Sequence, residues 1–372
     1  MTKLSNTELY IDKTCTQDEK CFRVLEIGEV GLFHWGMAAD TDAYYASYRA
    51  DLRQGRAWLG LIALYRIWRH VACGRYDLIV LHPPYYSGWH PRSFMVALKF
   101  SLFKGRPLEL WGAIISPILF QFLRYFPLAN MIAVERSDSF GIPRHHFFLL
   151  DKAQAYYKRE LPFDHWQVLH RSAHRRLPGA TFRRNTKWQR RIAKIHPIAL
   201  GLDREKADKA AEVFGTDKEY DLFFAGGTDE NSTVRANVPD QLCRLRKAGV
   251  QVDAPSMRLS YDDYIKRCAK AWITLSPAGL GWDCYRHVEA AIAGSVPLVS
   301  APSIERYKPL VIGQHCLVYH LDADDIVSLV IGALSDKKAL SNMAKAAHDH
   351  AKSCLVLDKI CRELLQRHVS PD

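Results

Sequence analysis

The chain has no C-x-x-C pair and no cysteine–histidine group with zinc-like spacing, although it carries nine cysteines. That argues against a zinc ribbon or a thioredoxin-type motif. Nine is an odd number, and 372 residues can build a core without covalent staples. The thiols therefore read as reduced, in a cytosol-like compartment. There is no internal repeat and no low-complexity tract. The polar start MTKLSNTELYIDKTCTQDEK, with Asp12, Asp18 and Glu19, reads as neither a secretory signal nor an anchor. A long clean apolar run is also missing. The most apolar stretch, 108–134, is broken by Glu109, Pro117, Arg124 and Pro127. Buried helix and strand is the expectation there, with peripheral membrane contact as the other reading.

What is present is ordinary globular usage, 48% apolar and 24% charged, in a length that suggests about two domains. Lys plus Arg is 51 against 40 for Asp plus Glu, a net charge of +11. The excess favours an anionic partner: a nucleotide, a nucleic acid or a membrane surface. Acidic residues vanish between His165 and Leu202, where nine basic ones stand: Arg171, Arg175, Arg176, Arg183, Arg184, Lys187, Arg190, Arg191 and Lys194. This is either a solvated basic face or a surface that meets phosphates. The aromatics among them, Trp166, Phe182 and Trp188, are too sparse for a single-strand binder.

Short apolar runs alternate with helical stretches. Strands are expected at 22–30, 76–81 (ended by His82-Pro83-Pro84), 131–135 and 146–150, with a long helical stretch at 43–73. A second series starts at 220. It has strands at 220–225, 250–254, 271–275, 296–299 and 316–319, and helices at 238–248, 260–270, 283–293, 322–350 and 357–367. This rhythm predicts an α/β fold of two Rossmann-like domains facing across a cleft. The expected division is an acceptor-binding domain 1–195, a linker 196–219, a nucleotide-sugar-binding domain 220–355 and a C-terminal helix 356–372 that crosses back to the first domain.

The densest signal is 275–299, LSPAGLGWDCYRHVEAAIAGSVPLV. A buried strand ends at Ser276. Gly279 and Gly281 let backbone approach a ligand. A helix starting near Asp283 offers free N–H groups to an anion. Arg286 and Glu289, three apart, share a helix face. A guanidinium forks onto phosphate, and a carboxylate accepts two hydrogen bonds from a ribose diol. The plainer reading is an Arg and a Glu that pair with each other.

This segment resembles the donor-binding loop of GT-B glycosyltransferases, especially the exostosin-like group. A glycine turn, D-x-x-R-x-x-E and G-x-x-P-V recur there, matched here by Asp283, Arg286, Glu289, Gly294, Pro297 and Val299. The resemblance implies a nucleotide-sugar donor, with Arg286 on the diphosphate and Glu289 on the ribose. The two glutamates eight apart of retaining members are missing, since Gly281 takes the earlier position, which points towards inversion. The Gly226-Gly227 turn, with Arg235 beyond it, resembles the turn such enzymes place near the donor phosphates. Its plainer reading is a capped surface turn. Arg258 either contacts the nucleotide or pairs with Asp262.

An inverting enzyme of this kind needs a general base in the first half. His34, Asp40, His82, His90 and Asp138 follow strand ends there, with His34 and Asp138 preferred. Each is also readable as structural. Tyr85, Tyr86 and Trp89 are either a sugar-stacking cluster or core. Residues 150–162 resemble a Y-F-K-R-E element before the domain crossover of some bacterial GT-B enzymes. Lys158 and Arg159 there either meet an anion or end an amphipathic helix. Asp322, Asp324 and Asp325, in D-A-D-D, read as an acidic helix start rather than a metal triplet, so no metal and no further cofactor is expected. The implied activity is metal-independent sugar transfer to a hydroxyl of a glycan or lipid-linked acceptor, in bacterial envelope polysaccharide or lipopolysaccharide assembly. The implied place is the cytoplasm, peripheral on an anionic membrane held by 165–202. A nucleotide-sugar epimerase of the same fold is the alternative within the fold. A nucleic-acid-binding or -modifying protein is the alternative outside it, and nucleic acid is not the favoured partner.

Overall fold

The computed structural model describes residues 22–37, 41–47, 53–84, 107–169, 183–228, 232–321 and 325–369, with positions 91, 94, 95, 98 and 99 between. The expectations for 1–20, Asp40, Tyr85, Tyr86, Trp89, His90, Arg171, Arg175, Arg176, Phe182, Asp322 and Asp324 lie outside the described residues.

Runs such as VLEIG, LIVLH and MIAVE are buried along their whole length, as strands covered on both faces must be. They form β1 (Val24–Gly28), β4 (Leu78–His82) and β5 (Met131–Glu135). With β2 (Thr41–Tyr45), β3 (Ala57–Trp58), β6 (Ala155–Lys158) and β8 (Ile195–Pro197) they make a seven-stranded sheet in the order β3-β2-β1-β4-β5-β6-β8. All its pairings are parallel. The second half holds β9 (Tyr220–Phe223), β10 (Val252–Asp253), β11 (Ala271–Ser276), β12 (Val296–Ser300) and β14 (Leu317–Tyr319), a parallel sheet ordered β10-β9-β11-β12-β14. Both orders belong to doubly wound α/β folds. The molecule is thus two Rossmann-like domains facing across a cleft, the arrangement called GT-B.

Three ties join the domains. β7 (Leu161–Pro162) pairs antiparallel with β13 (Ile304–Glu305), so one short ribbon takes a strand from each half. The last helix, Leu357–Val369, crosses back and packs on the helix Phe33–Gly36 and on β4. At its end His368 Nε2 lies 2.8 Å from the Tyr157 hydroxyl of β6. Finally, side chains alternate along each strand. In β4, Leu78 and Val80 join a core shared by both domains and the last helix, while Ile79 and Leu81 join a second core under the outer helices. A third core lies on the far face of the second sheet.

Three expected elements differ. The stretch 146–150, expected as a strand, is the helix Phe147–Lys152, because a short apolar run fits a buried helix as well as a strand. The stretch 43–73 is not one helix: β2 and β3 occupy its first part, and only Leu61–Ala72 is helical. Tyr45 is fully buried on the sheet, and Gly55, at φ +82°, interrupts the chain before the 3.6-residue period starts at Leu61. The stretch 322–350 contains two helices, Ile326–Leu334 and Lys337–Cys354. Asp336 caps the second, accepting from the Ala339 amide at 2.9 Å.

Candidate functional site

Strand order reverses between β1 and β4 in one sheet and between β9 and β11 in the other, where doubly wound sheets leave a crevice at their carboxyl ends. A cavity of about 430 Å³ lies between the domains there. Its first-domain wall is Glu29, Val30, Trp35, Arg136, Asp138 and Arg159; its second-domain wall is Arg235, the turn Gly279–Gly281, Asp283, Cys284 and Tyr285. The structure therefore brings together Asp138, Arg235, Gly279, Gly281 and Asp283 of the expected residues. His34, Gly226, Gly227, Arg258, Ser276, Arg286 and Glu289 are not among the lining.

The loop after β11 is arranged differently from the sequence expectation. The helix starts at Tyr285, with Cys284 at the N-cap position, rather than at Asp283. The amides expected to be free for an anion at this loop are taken. Glu160, fully buried, accepts from the Trp282 N–H through Oε2 at 2.9 Å and from the Asp283 N–H through Oε1 at 3.1 Å. Arg159 Nε donates to the same Oε1 at 3.1 Å. The Asp283 carboxylate is also engaged, accepting from the Leu200 N–H at 2.7 Å. Gly281 is explained by this packing: a Cβ there would run into Arg159 and come within 2.5 Å of Glu160 Oε1. Burial raises the Glu160 pKa against the pull of Arg159 and the two amides.

Arg286 and Glu289 stand on the next turn. A Cβ at Gly226 would lie 2.5 Å from Arg286 Nη2, so the glycine turn after β9 exists to seat this guanidinium. The guanidinium lies over Phe224 at 5.7 Å. Its Nε and Nη1 are buried without a hydrogen-bond partner among the described residues. Among the described residues Arg286 and Glu289 form no ion pair within 4 Å, although each charge favours the ionised form of the other. Burial pushes the Glu289 carboxyl up to about 7, although the Arg286 charge opposes it. Gly226 and Gly227 are exposed beside this pair, and Arg235 lies against Gly279. Arg258 is exposed and apart, and its expected partner Asp262 lies 3.5 Å from Lys209 instead.

Ser276 points away from the cavity. Its hydroxyl lies 2.7 Å from His287 Nδ1, and Cys284 Sγ lies 3.7 Å from the same nitrogen. His287 Nε2 faces the Trp282 carbonyl at 3.1 Å and must donate to it. That fixes Nδ1 as the nitrogen shared by the hydroxyl and the thiol. Burial opposes ionisation of Cys284, yet the charge and hydrogen bond of His287, with Arg286 beyond, bring the thiol down to about 6. The sequence reading missed Cys284 and His287. The C-x-x-H spacing at the start of a helix after a strand was the available signal.

In the first domain, Asp138 lines the cavity in an ion pair with Arg159. The His34 N–H donates to Glu26 Oε2 at 2.8 Å, and its half-buried ring makes no hydrogen bond among the described residues. His82 is buried between Glu26 Oε1 at 2.7 Å and the Val134 carbonyl at 3.0 Å, which leaves it structural. Burial raises the Glu26 pKa, but His82 and the helix amides outweigh it and hold the carboxylate low. Lys158 is a correction: its ammonium is fully buried, 2.7 Å from Glu135, and meets no external anion. Arg136, missed in the sequence, lines the cavity, donates to the Leu200 carbonyl and keeps a buried Nε without a partner among the described residues. The described part of the basic stretch is partly consumed internally: Arg191 forks onto Asp151 at 2.8 and 2.6 Å, and Arg183 meets Asp164 at 2.6 Å. Among the described residues no three His, Cys, Asp or Glu side chains are placed to hold a metal ion.

No protein-family profile matches the chain, and no curated protein does. Among solved structures it is similar to sucrose-phosphate synthase from Thermosynechococcus elongatus (10% identity, TM-score 0.49, covering 93% of this chain and 98% of that one). It is also similar to HepE from Anabaena in complex with UDP-glucose (9%, TM-score 0.46, 92% and 98%). A third is a putative UDP-N-acetylglucosamine 2-epimerase from Listeria monocytogenes (10%, TM-score 0.42, 95% and 98%).

Proposed function

We propose that the chain is a metal-independent glycosyltransferase of the GT-B arrangement, moving a sugar from a nucleotide-sugar donor to a hydroxyl of a glycan or lipid-linked acceptor. The observation that carries this is Arg286: a guanidinium seated by Gly226 at the β9–β11 switch point, with two buried nitrogens that have no acceptor among the described residues. Leaving such donors unmet in a protein interior is costly unless a ligand completes them. A diphosphate supplies the acceptors and the charge, and Glu289, one turn on, is spaced for the ribose hydroxyls.

Residues 220–355 hold the donor in this reading, and 1–195 bind the acceptor. The phosphates rest on Arg286, on Arg235 and on the Gly226-Gly227 turn, because Glu160 fills the amides of Trp282 and Asp283. The acceptor oxygen forms its bond to the anomeric carbon as the bond from that carbon to the phosphate oxygen breaks. Arg286 meets the charge that develops on the departing diphosphate. Inversion requires the acceptor proton to pass to a base; Asp138, on the cavity wall, is better placed than His34. The exostosin-like motif and the bacterial envelope setting belong to this proposal, resting on 275–299. Thermal shift against UDP, GDP, CMP and dTDP sugars tests it: one base should stabilise the fold, and Arg286→Ala should abolish that shift. No stabilisation by any of them rejects the donor site.

A further inference from the structure

The helix Leu61–Ala72 is apolar on two sides: Ala63, Leu64, Ile67 and Val71 pack on the core, and a second apolar set faces outwards. Only Ile67 is buried, while Leu61 and Ile62 are each 72% exposed and Trp68 47%. Tyr65 is exposed between them, so positions 61, 65 and 68 make a continuous strip on one helix face. A surface helix ordinarily carries polar residues on that outer side. A second apolar surface follows on the helix Pro107–Phe122 and the turn after it, where Trp111 is 68% and Tyr125 76% exposed.

Two contacts place both on the same side of the molecule. Ile67 belongs to the core on the outer face of the first sheet, and so do Leu119 and Phe120 of the second helix. A Cβ at Gly112 would meet the Trp58 ring at 2.5 Å, so this helix passes against the residue three before Leu61. The helix Thr186–Ile192 covers the same core through Ile192.

The charge on the helices Leu61–Ala72 and Thr186–Ile192 is positive, and two acids described near them are already engaged: Asp42 accepts from the Tyr76 hydroxyl and Asp151 pairs with Arg191. Arg66 and Arg69 are exposed on the first helix, whose sequence LIALYRIWRHVA has no acidic residue. Lys187 and Arg190 are exposed on the helix Thr186–Ile192 and form no ion pair among the described residues. A two-fold contact between copies of the chain through this strip would crowd like charges together with no acid on the helix to receive them. Exposed Trp and Tyr beside arginines fit a headgroup layer with apolar chains beneath it. No helix among the described residues is long and apolar enough to cross a membrane, which leaves a contact in the plane.

We propose that this outer face of the first domain docks on an anionic lipid surface. Leu61, Ile62 and Trp68 enter the acyl boundary, and Arg66 and Arg69 meet the lipid phosphates. The inference is independent of the donor assignment, since it is measured without any nucleotide.

Flotation of the full chain with vesicles of phosphatidylcholine alone, or of equal parts phosphatidylcholine and phosphatidylglycerol, tests it. The chain should float with the anionic vesicles. Arg66→Gln with Arg69→Gln should lower the partitioning roughly thirtyfold. Ile62→Glu with Trp68→Glu should abolish it while leaving the thermal melt unchanged, because neither side chain is buried in the core. Absence of flotation overturns the proposal. So does flotation that survives the two glutamates but is lost on Lys187→Glu with Arg190→Glu, which would give the contact to the basic helix alone. A dimer in light scattering that the two glutamates convert to monomer also overturns it, making the strip an interface between copies.

Discussion

Glu160 reaches from the first domain to the second and accepts the backbone N–H of Asp283, at 3.1 Å, in the loop that opens the Arg286 helix. One carboxylate thereby satisfies two amides and Arg159 and fixes the spacing of the cleft walls. Glu160→Ala strands these donors in a buried place and should cost about 1–3 kcal/mol of stability. A urea melt checks this. An unchanged midpoint would mean that water reaches the loop freely.

Arg286→Lys separates charge from geometry. A lysine keeps the positive charge but loses the fork and the contact over Phe224. Donor affinity should fall by about tenfold to a hundredfold, measured by calorimetry with the nucleotide that stabilises the wild type. Equal affinity would show that a point charge suffices and that Nε and Nη1 have no ligand.

Glu289 gives a pH dependence with a definite sign. Its folded pKa, near 7, lies above the ordinary carboxyl value of 4.5. Stability from this group is therefore fully present below about 4.5 and is lost as pH rises through about 7. Ribose binding runs the other way, since the ionised carboxylate accepts the hydroxyls. Nucleotide affinity should rise between about pH 6 and 8 in the wild type and become flat in Glu289→Gln. A slope that persists in that variant would assign the titration elsewhere.

Cys284 is half-buried, whereas Cys73 and Cys243 are exposed. The His287 contact should nevertheless make it the faster of the three towards iodoacetamide at pH 7, by roughly tenfold from its larger thiolate fraction. His287→Ala should remove the advantage, and a bound nucleotide should slow labelling at the cavity. Mass spectrometry of the labelled peptides reads all three sites together. Labelling of Cys73 first would show that burial outweighs the imidazole.

The strands at 24–28, 78–82 and 131–135 were legible as dense apolar runs buried along their length, but the equally apolar run 146–150 is the helix Phe147–Lys152, which the same pattern does not distinguish. The segment 43–73 was misread because Tyr44, Tyr45 and Trp58 fit either a helix face or a strand, and only the pairing of β2 with β1 and of β3 with β2 decides. In the site, Arg286 and Glu289 were legible as a local pattern on one helix. Glu160 was not, since its partners lie more than 120 residues away and nothing in its own neighbourhood signals them. Lys158, read as either an anion contact or the end of an amphipathic helix, is neither for the same reason: it lies in β6, and Glu135 on the neighbouring strand neutralises it across a sheet register that the linear sequence does not display.

The core shared by both sheets and the last helix bears on how the chain comes apart. Leu357, Ile360 and Leu364 are almost fully buried, on a helix that packs against the first domain but belongs to the end of the chain. Neither half can complete its interior before translation reaches that segment. Severing the polypeptide between the two sheets would leave each fragment with an uncovered greasy flank, so separately expressed halves are expected to aggregate, and the intact protein to melt in a single cooperative transition.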